Sequence, residues 1–519
     1  MASPLAAQSL APRPLVQDPQ QGATPQPLPT PAPLPPAARP ELPAERVPAP
    51  TPPVLPPSLT PIAPIMGPPA PPGLSAPPVR PGALPAPTAD PMRLDPATDP
   101  VLQLSRAQVP QALFRDAIAT AVARNPNLGE AEAQANEAEA SRNEARSRQY
   151  PVADVTFSNF NIVSRQFSGD FRNVLEQSRP QGRTDATVRV QQPLWDFGAA
   201  RNRIEAGNAR LRAAEAGIED TGTQVALRAI GAWYNVYAYR ALVRLGEAFA
   251  ASQRDLRSLQ EQRIAQGYAA PGDLAQVDSY IASSDAQLAD FRRQAANAEA
   301  QYRAILGQAP PDDLGRAPVP EAPPAPLDAA ENLPAVRAAR LVAEAARRDL
   351  GATRADQMPT VSAGLDAGRY GVFETAGDYD VRANVTLSMR LGGGAKQRVD
   401  QAAARADGAE ARYRRILIDS TRDADIAMSD LDALRQSQEA METNYVNSRR
   451  SRDVLVERFR VSRGTLFDVL TAENNYFGVA ARYIQTVTEL DTARYVLLAR
   501  TGRLLPALAI QPDTLRTPS

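Results

Sequence analysis

Tyr379-Asp380-Val381-Arg382-Ala383-Asn384-Val385-Thr386-Leu387-Ser388-Met389-Arg390-Leu391 alternates without a fault. Its odd-numbered positions are apolar or aromatic and its even-numbered positions are charged or polar. A pleated strand points successive side chains to opposite faces, so the segment predicts a β-strand with one apolar and one wet face. Its length is near the roughly 9 to 11 residues that a tilted transmembrane strand needs. Taken alone, it also fits half of a soluble antiparallel sheet.

Three further stretches share the texture. Val155-Thr156-Phe157-Ser158, after Tyr150-Pro151, and Ala186-Thr187-Val188-Arg189-Val190-Gln191 predict one hairpin. Met358-Pro359 opens a strand from Val361 to Tyr370 that pairs with Tyr379 to Leu391 as a second. Four strands cannot close a barrel, and open edges are not tolerated in hydrocarbon, so closure is expected from several chains.

Outside the hairpins the period changes to that of helix. Leu113 to Arg148 reads as helix with a break at Asn125-Pro126. After Pro193-Leu194-Trp195-Asp196-Phe197-Gly198 no proline occurs until Pro271. As continuous helix that stretch would reach roughly 105 Å at about 1.5 Å per residue. A return helix runs from Pro271-Gly272-Asp273 to Leu306-Gly307. The order then recurs: helix from Asn332 to Ala355, two strands, a proline-free helix from Gly392-Gly393-Gly394 to about Arg463, and a return from Thr465 to Gly502. Asp273 to Gly307 and Asp468 to Gly502 have the same separation, and Gln149-Tyr150-Pro151 echoes Gln357-Met358-Pro359. We read the chain as an internal duplication.

The expected organisation is a disordered Pro/Ala-rich segment over 1–104, a first repeat over 105–309, a Pro-rich linker over 310–334, a second repeat over 335–505 and a short tail over 506–519. Composition narrows the function. The 519 residues include 51 prolines but neither histidine nor cysteine, which excludes His-dependent triads, thiol nucleophiles, N/S zinc sites and disulfides. Without cysteine there is no acylation site of the lipoprotein kind, so any membrane hold is expected to come from the fold. The opening Met1-Ala2-Ser3-Pro4-Leu5-Ala6-Ala7-Gln8 lacks the basic and apolar regions of a secretory signal. A net charge of −1, with arginines interleaved among acids, predicts no nucleic-acid partner. Leu391-Gly392-Gly393-Gly394-Ala395-Lys396 lacks phosphate-loop spacing, and Asp423 and Asp425 fall on different helix faces. These features predict a protein that is not an enzyme and carries no cofactor or metal. Trp233, Tyr234, Tyr237 and Tyr239 read as packing residues within the long helix.

Over roughly residues 105 to 505 the arrangement resembles the TolC-like outer-membrane factor family. The resemblance is carried by Tyr150-Pro151-Val152, by Gln192-Pro193-Leu194-Trp195-Asp196-Phe197-Gly198 and by Gly464-Thr465-Leu466-Phe467-Asp468-Val469-Leu470. It implies a mainly α chain with four β-strands. Three copies would form a 12-stranded transmembrane barrel continuous with a long periplasmic helical barrel in the outer membrane. It also implies a periplasmic adaptor (a membrane fusion protein) and an inner-membrane ABC transporter or proton-driven RND pump as partners. Val381, Ala383, Val385, Leu387 and Met389 would then face lipid.

In the family the helix turns form a periplasmic tip that closes at rest. Asp468 occupies the position of an acidic ring at that entrance, while equally fitting a helix N-terminal carboxylate. Thr471 stands at the neighbouring ring position, where well-known members carry an acid. Phe459 stands where such members latch the tip with tyrosine, and Gly464, preceded by Arg463, where they use arginine. Arg263, Gly267, Arg463 and Gly464 are implied adaptor contacts, or else ordinary helix caps. Three functions remain open at this level: an exit duct for type I secretion, the outer-membrane part of a small-molecule efflux pump, and a coiled-coil structural protein without a pore.

Overall fold

The computed structural model describes residues 98–166, 180–318, 327–374 and 377–511, apart from 105 and 107, together with 84, 85, 87, 88, 90 and 515. All of these lie in one unit, residues 75–519. Much of the Pro-rich head expected over 1–104 lies outside the described residues. Its last part is ordered, however: Asp99 caps a short helix, α1 (Pro100–Leu104), through its side chain to the N–H groups of Val101 and Leu102 at 2.8 and 3.0 Å. An Asp N-cap followed by Pro is a strong start signal, because proline has no N–H to leave unpaired there.

Two helices follow, α2 (Gln111–Arg124) and α3 (Pro126–Ser147), broken where expected, with Asn125 capping the second. The first hairpin is β1 (Val152–Asn161) and β2 (Gly182–Trp195). Then come α4 (Ala199–Ala265) and α5 (Gly272–Leu306). The second half holds α6 (Pro334–Ala355), β3 (Thr360–Tyr370), β4 (Tyr379–Ser388), α7 (Ala395–Arg460) and α8 (Leu466–Arg500), followed by a short α9 (Leu504–Ala507). The halves match closely in length: α4 and α7 have 67 and 66 residues, and α5 and α8 have 35 each.

The strands form one antiparallel sheet in the order β1-β2-β3-β4. The first hairpin is longer than the sequence reading gave it, with β1 reaching from Val152 to Asn161 and β2 beginning at Gly182, and β3 starts one residue earlier, at Thr360. β2 continues past Gln191 to Trp195 because Pro193 sits beside a register shift, where a missing N–H costs no ladder bond. β4 stops at Ser388, opposite Thr360, and not at Leu391. Beyond it Gly392, Gly393 and Gly394 take φ of +80, +62 and +77°, a left-handed run that carries the chain off the sheet and into α7.

The main core gathers α1, α2, α4, α5 and α8 around Phe114, Ile118, Trp233, Tyr302, Tyr476 and Tyr495. Phe114 meets Trp233 edge-on at a centroid distance of 5.3 Å. The aromatic run on α4 packs as expected, and its polar ends stitch the connecting segments down. Trp233 Nε1 donates to Gly315 O at 2.9 Å, Tyr234 OH to Ala317 O at 3.3 Å and Tyr237 OH to Leu104 O at 2.9 Å. Burial pushes the Tyr237 hydroxyl up to about 12, so it stays a donor at neutral pH. Helices approach closely where side chains are small: a Cβ on Gly207 would lie 3.1 Å from Arg142 Cα.

The long helices end alike. Tyr268 N–H donates to Arg263 O and Arg463 N–H to Arg458 O, each at 2.8 Å, with Gly267 and Ser462 left-handed at φ +78 and +59°. This is the Schellman closure, and serine bears a steric cost there that glycine does not. Ser462→Gly is therefore expected to stabilise the end of α7 by about 0.5 kcal/mol net, after the larger chain entropy that glycine loses on folding. Slower amide exchange at Val461 to Gly464 would show it.

Candidate functional site

The sheet carries a consistent two-faced pattern through all four strands. Val155, Val188, Ala367 and Val381 stand opposite one another in one row, as do Ala153, Val190, Leu365 and Ala383 in the next. On this face Phe157 is 71% exposed, Val385 71% and Leu387 70%, with no helix among the described residues covering them. Val381 and Met389 are exposed as well, although Met389 lies just beyond the strand end. Exposed aromatic side chains flank the band, with Trp195 and Phe197 in T-shaped contact at 5.9 Å near the helices and Tyr379 and Phe373 at the loop end.

The opposite face is hydrophilic. Asp154, Arg189, Asp366 and Arg382 form one cross-strand row of alternating charge. Arg189 Nε lies 2.6 Å from Asp366 Oδ1, and Asn384 Nδ2 donates to Asp366 Oδ2 at 3.0 Å. The sequence reading missed this row: its members are scattered along the chain, and only pairing brings them together. β1 and β4 are the outer strands, each with one edge unpaired among the described residues. Large apolar faces beside open strand edges are a surface that water tolerates poorly. Among the described residues no helix is long and apolar enough to cross a membrane.

At the other end of the long helices, the sequence-predicted tip residues separate into two groups. Asp468 and Thr471 are exposed on α8. Asp468 also closes a capping box: its Oδ2 accepts from the Thr465 hydroxyl at 2.7 Å, and Thr465 Oγ1 accepts from Asp468 N–H at 3.2 Å. The helix-start reading of Asp468 is thus realised. Gly267 and Arg463 are exposed, and Gly464 is half-buried, with room for a Cβ only 3.1 Å from the Phe459 nitrogen.

Phe459 and Arg263 form the second group. Phe459 is 2% exposed and packs with Val277, Val456, Leu466, Val469 and Leu470, so it does not line an entrance. Its helical phase turns it inward among the apolar ends of both hairpins. Arg263, expected as an adaptor contact or a helix cap, reaches from α4 to a carbonyl at the end of α7. Its Nη1 donates to Phe459 O at 2.9 Å, and its guanidinium carbon lies 4.4 Å from the centre of the Phe459 ring. This clasp joins the helical hairpins α4–α5 and α7–α8 beside a groove of about 690 Å³ whose lining includes Leu256, Leu259, Tyr268, Val456 and Val469. A charged hydrogen bond with a cation–π contact is worth about 2 to 3 kcal/mol in partly buried surroundings. Arg263→Ala is expected to loosen the hairpin ends by that amount, read as faster amide exchange over residues 459–468.

A buried polar cluster lies behind the clasp, and the sequence reading missed it too. Arg452 is 1% exposed, with Nε 2.6 Å from Asp453 Oδ1, Nη1 3.3 Å from Glu473 Oε1 and its guanidinium 4.6 Å from the Tyr476 ring centre. Burial raises the Glu473 carboxyl, and Arg452 opposes the shift. Alternating Arg and Asp on a long helix reads as solvated, so no local signal marks these positions.

Comparison with known proteins agrees with this geometry. A family model described as outer membrane efflux protein matches residues 117–308 and 325–503. The outer membrane efflux protein BepC of Brucella suis biovar 1 (strain 1330) is 25% identical over 343 residues, covering 62% of this chain and 73% of BepC. The outer membrane protein VceC of Vibrio cholerae superposes with a TM-score of 0.68 at 20% identity, over 75% of this chain and 96% of VceC. The open state of the MtrE outer membrane channel of Neisseria gonorrhoeae gives 0.64 at 18% identity, over 75% and 89%. At such identities the likeness to the solved structures is one of fold.

Proposed function

The chain belongs to the outer membrane efflux protein family, and from that premise we propose that it is the exit duct of a tripartite export machine. The observation that carries this reading is the four-stranded sheet, apolar on one face, charged on the other and, among the described residues, unpaired at both edges. Three copies side by side would satisfy the edges, giving a 12-stranded barrel with Val381, Ala383, Val385, Leu387 and Met389 toward outer-membrane lipid and the charged row toward water. The repeated element lengths support an internal duplication, with two helical hairpins per copy extending the barrel into the periplasm. Exposed Ile418 and Ile426 on α7 would be covered by neighbouring copies. Transport through such a duct is passive, and no step calls for a catalytic group or cofactor.

In this reading the ends of the hairpins meet a periplasmic adaptor, with Gly267, Arg463 and Gly464 at the contact, and Asp468 and Thr471 face the axis as rings. An inner-membrane ABC transporter would supply unfolded polypeptide, as in type I secretion. A second reading is small-molecule efflux with a proton-driven pump; the BepC relative is named an outer membrane efflux protein. The first test is outer-membrane fractionation followed by detergent extraction and light scattering. A detergent-dependent trimer is the expected result; a monomer soluble without detergent would instead assign a coiled-coil protein without a pore. Deleting the gene separates the two cargoes. Loss of extracellular protein supports secretion, whereas raised antibiotic or detergent sensitivity with an unchanged secretome supports efflux.

A further inference from the structure

The polar face of the sheet is nearly balanced in charge, and the imbalance falls on one residue. Among the strand residues this face carries three arginines and four aspartates. Arg183 Nε lies 2.7 Å from Asp185 Oδ1, Arg189 Nε lies 2.6 Å from Asp366 Oδ1, and Arg382 pairs with Asp380 on its own strand. Asp154 is the acid left over. It stands directly opposite Arg189 across the β1–β2 ladder, but the Arg189 guanidinium turns the other way, to β3. Asp154 is exposed and has no ion pair among the described residues. The wall near it lies low. A Cβ on Gly364 would meet Asn384 Oδ1 at 2.5 Å, and one on Gly368 would meet the Tyr370 ring at 2.9 Å. Both side chains therefore lie flat along the sheet and leave the space above this face to water.

Assembly into a barrel does not supply the missing partner. The row Asp154, Arg189, Asp366, Arg382 runs straight across the four strands, so Arg382 of one copy would meet Asp154 of the next only in a barrel without stagger. Twelve strands about 4.8 Å apart and tilted by about 35–45° require a total stagger of roughly 12 to 18 residues, hence about four to six per copy. Arg382 is thereby carried roughly 13 Å or more along the strand from the neighbouring Asp154. β1 and β4 have ten residues each. Asn384 lies on the row through Val152, so joining the strands end to end, Val152 beside Ser388, gives a stagger of four residues and sets the uncharged Thr386 opposite Asp154.

We propose that Asp154 sets the charge preference of the lumen, three unpaired carboxylates at one level favouring cationic over anionic solutes, and that Arg189 keeps Asp366 from adding to it. The proposal deepens the duct reading and rests on it. At that tilt the barrel has a radius of about 11 Å, close to the Debye length of about 8 to 10 Å at physiological salt, so wall charges act across most of the opening. Every other acid on this face has an arginine of its own, and Asp154 alone is left to draw counter-ions.

Because the chain has no cysteine, a single introduced thiol reads the local potential without background. Thr386→Cys lies on the exposed polar face, three strands and four residues from Asp154 of its own copy, which is roughly 20 Å, but opposite Asp154 of the neighbour. Its rates with a cationic and an anionic methanethiosulfonate of similar size are measured on the full-length trimer in detergent, and their ratio is referred to that of a small free thiol. The ratio is expected to be about threefold higher, as a unit negative charge roughly 6 Å away produces at about 0.1 M salt. Adding Asp154→Asn, which keeps the size and removes the charge, should return it to the free-thiol value. Adding Arg189→Gln instead should raise it about twofold again, because Asp154 and Asp366 then lose the cation between them. A trimer whose ratio ignores Asp154→Asn would overturn the proposal and leave the duct reading standing. An unchanged ratio with Arg189→Gln would overturn the role given to that residue. A thiol that reacts with neither reagent would put this face out of reach of water and overturn the proposal as well. A monomer soluble without detergent would remove the seam, and the duct reading with it.

Discussion

Val385→Arg is expected to remove the protein from the assembled, membrane-embedded fraction, while Asn384→Arg, one residue away, leaves it there. Val385 stands on β4 opposite Ala363, on the face that also carries Val381 and Leu387. An arginine on the lipid side of a barrel costs about 2 to 4 kcal/mol at the bilayer midplane. Three copies would multiply that to roughly 6 to 12 kcal/mol, comparable with the whole margin of about 5 to 15 kcal/mol that holds a folded protein together. Asn384 points the other way and already donates to Asp366 at 3.0 Å, so an arginine there gains a carboxylate partner in wet surroundings. Semi-native electrophoresis of membrane extracts reads both variants. Equal tolerance of the two would mean that neither face meets lipid, and the barrel proposal would fail.

Asp491→Ala should produce the largest loss of stability among substitutions away from the sheet. Asp491 is fully buried on α8 and binds Arg316, in the segment between the two halves, with Oδ1 2.7 Å from Nη2. The same segment is fastened by Trp233, Tyr234 and Tyr495 through the carbonyls of Gly315, Ala317 and Pro318. Removing one member of a buried pair strands the other charge, at about 3 to 5 kcal/mol. Replacing both members together, as in Arg316→Met with Asp491→Leu, should recover most of that loss, because two apolar side chains need no compensation. Thermal unfolding in detergent measures each. If the double variant is as unstable as the single one, geometry and not charge governs this junction.

The legible parts of this protein are those written in short periods. Tyr379 to Ser388 declares its two faces residue by residue, and the absence of proline from 194–270 declares a helix of great length. Turns were legible where glycine was present, as at Gly267 and Gly392 to Gly394. Ser462 was not, since a left-handed serine leaves no trace in composition. Phe459 illustrates a limit of another kind. The family resemblance put it where other members latch the tip with tyrosine, and the phase of α7 against α8 and α5 buries it. Asp99-Pro100 carried a usable start signal that the prolines around it concealed.

Sequence by itself thus determined which segments are strands and helices, their order, the apolar face of the last strand, and membership of the fold. These properties depend on neighbours within a few residues of one another, and a local period records them. Tertiary structure alone decided which charges meet: Asp491 with Arg316 across 175 residues, Asp99 with Arg449 across 350, and Asp366 with Arg189 across 177. In an Arg- and Asp-rich chain every helix face offers such charges, and each could be solvated. Only packing removes the water from a few of them, and it is that desolvation which makes their partners obligatory.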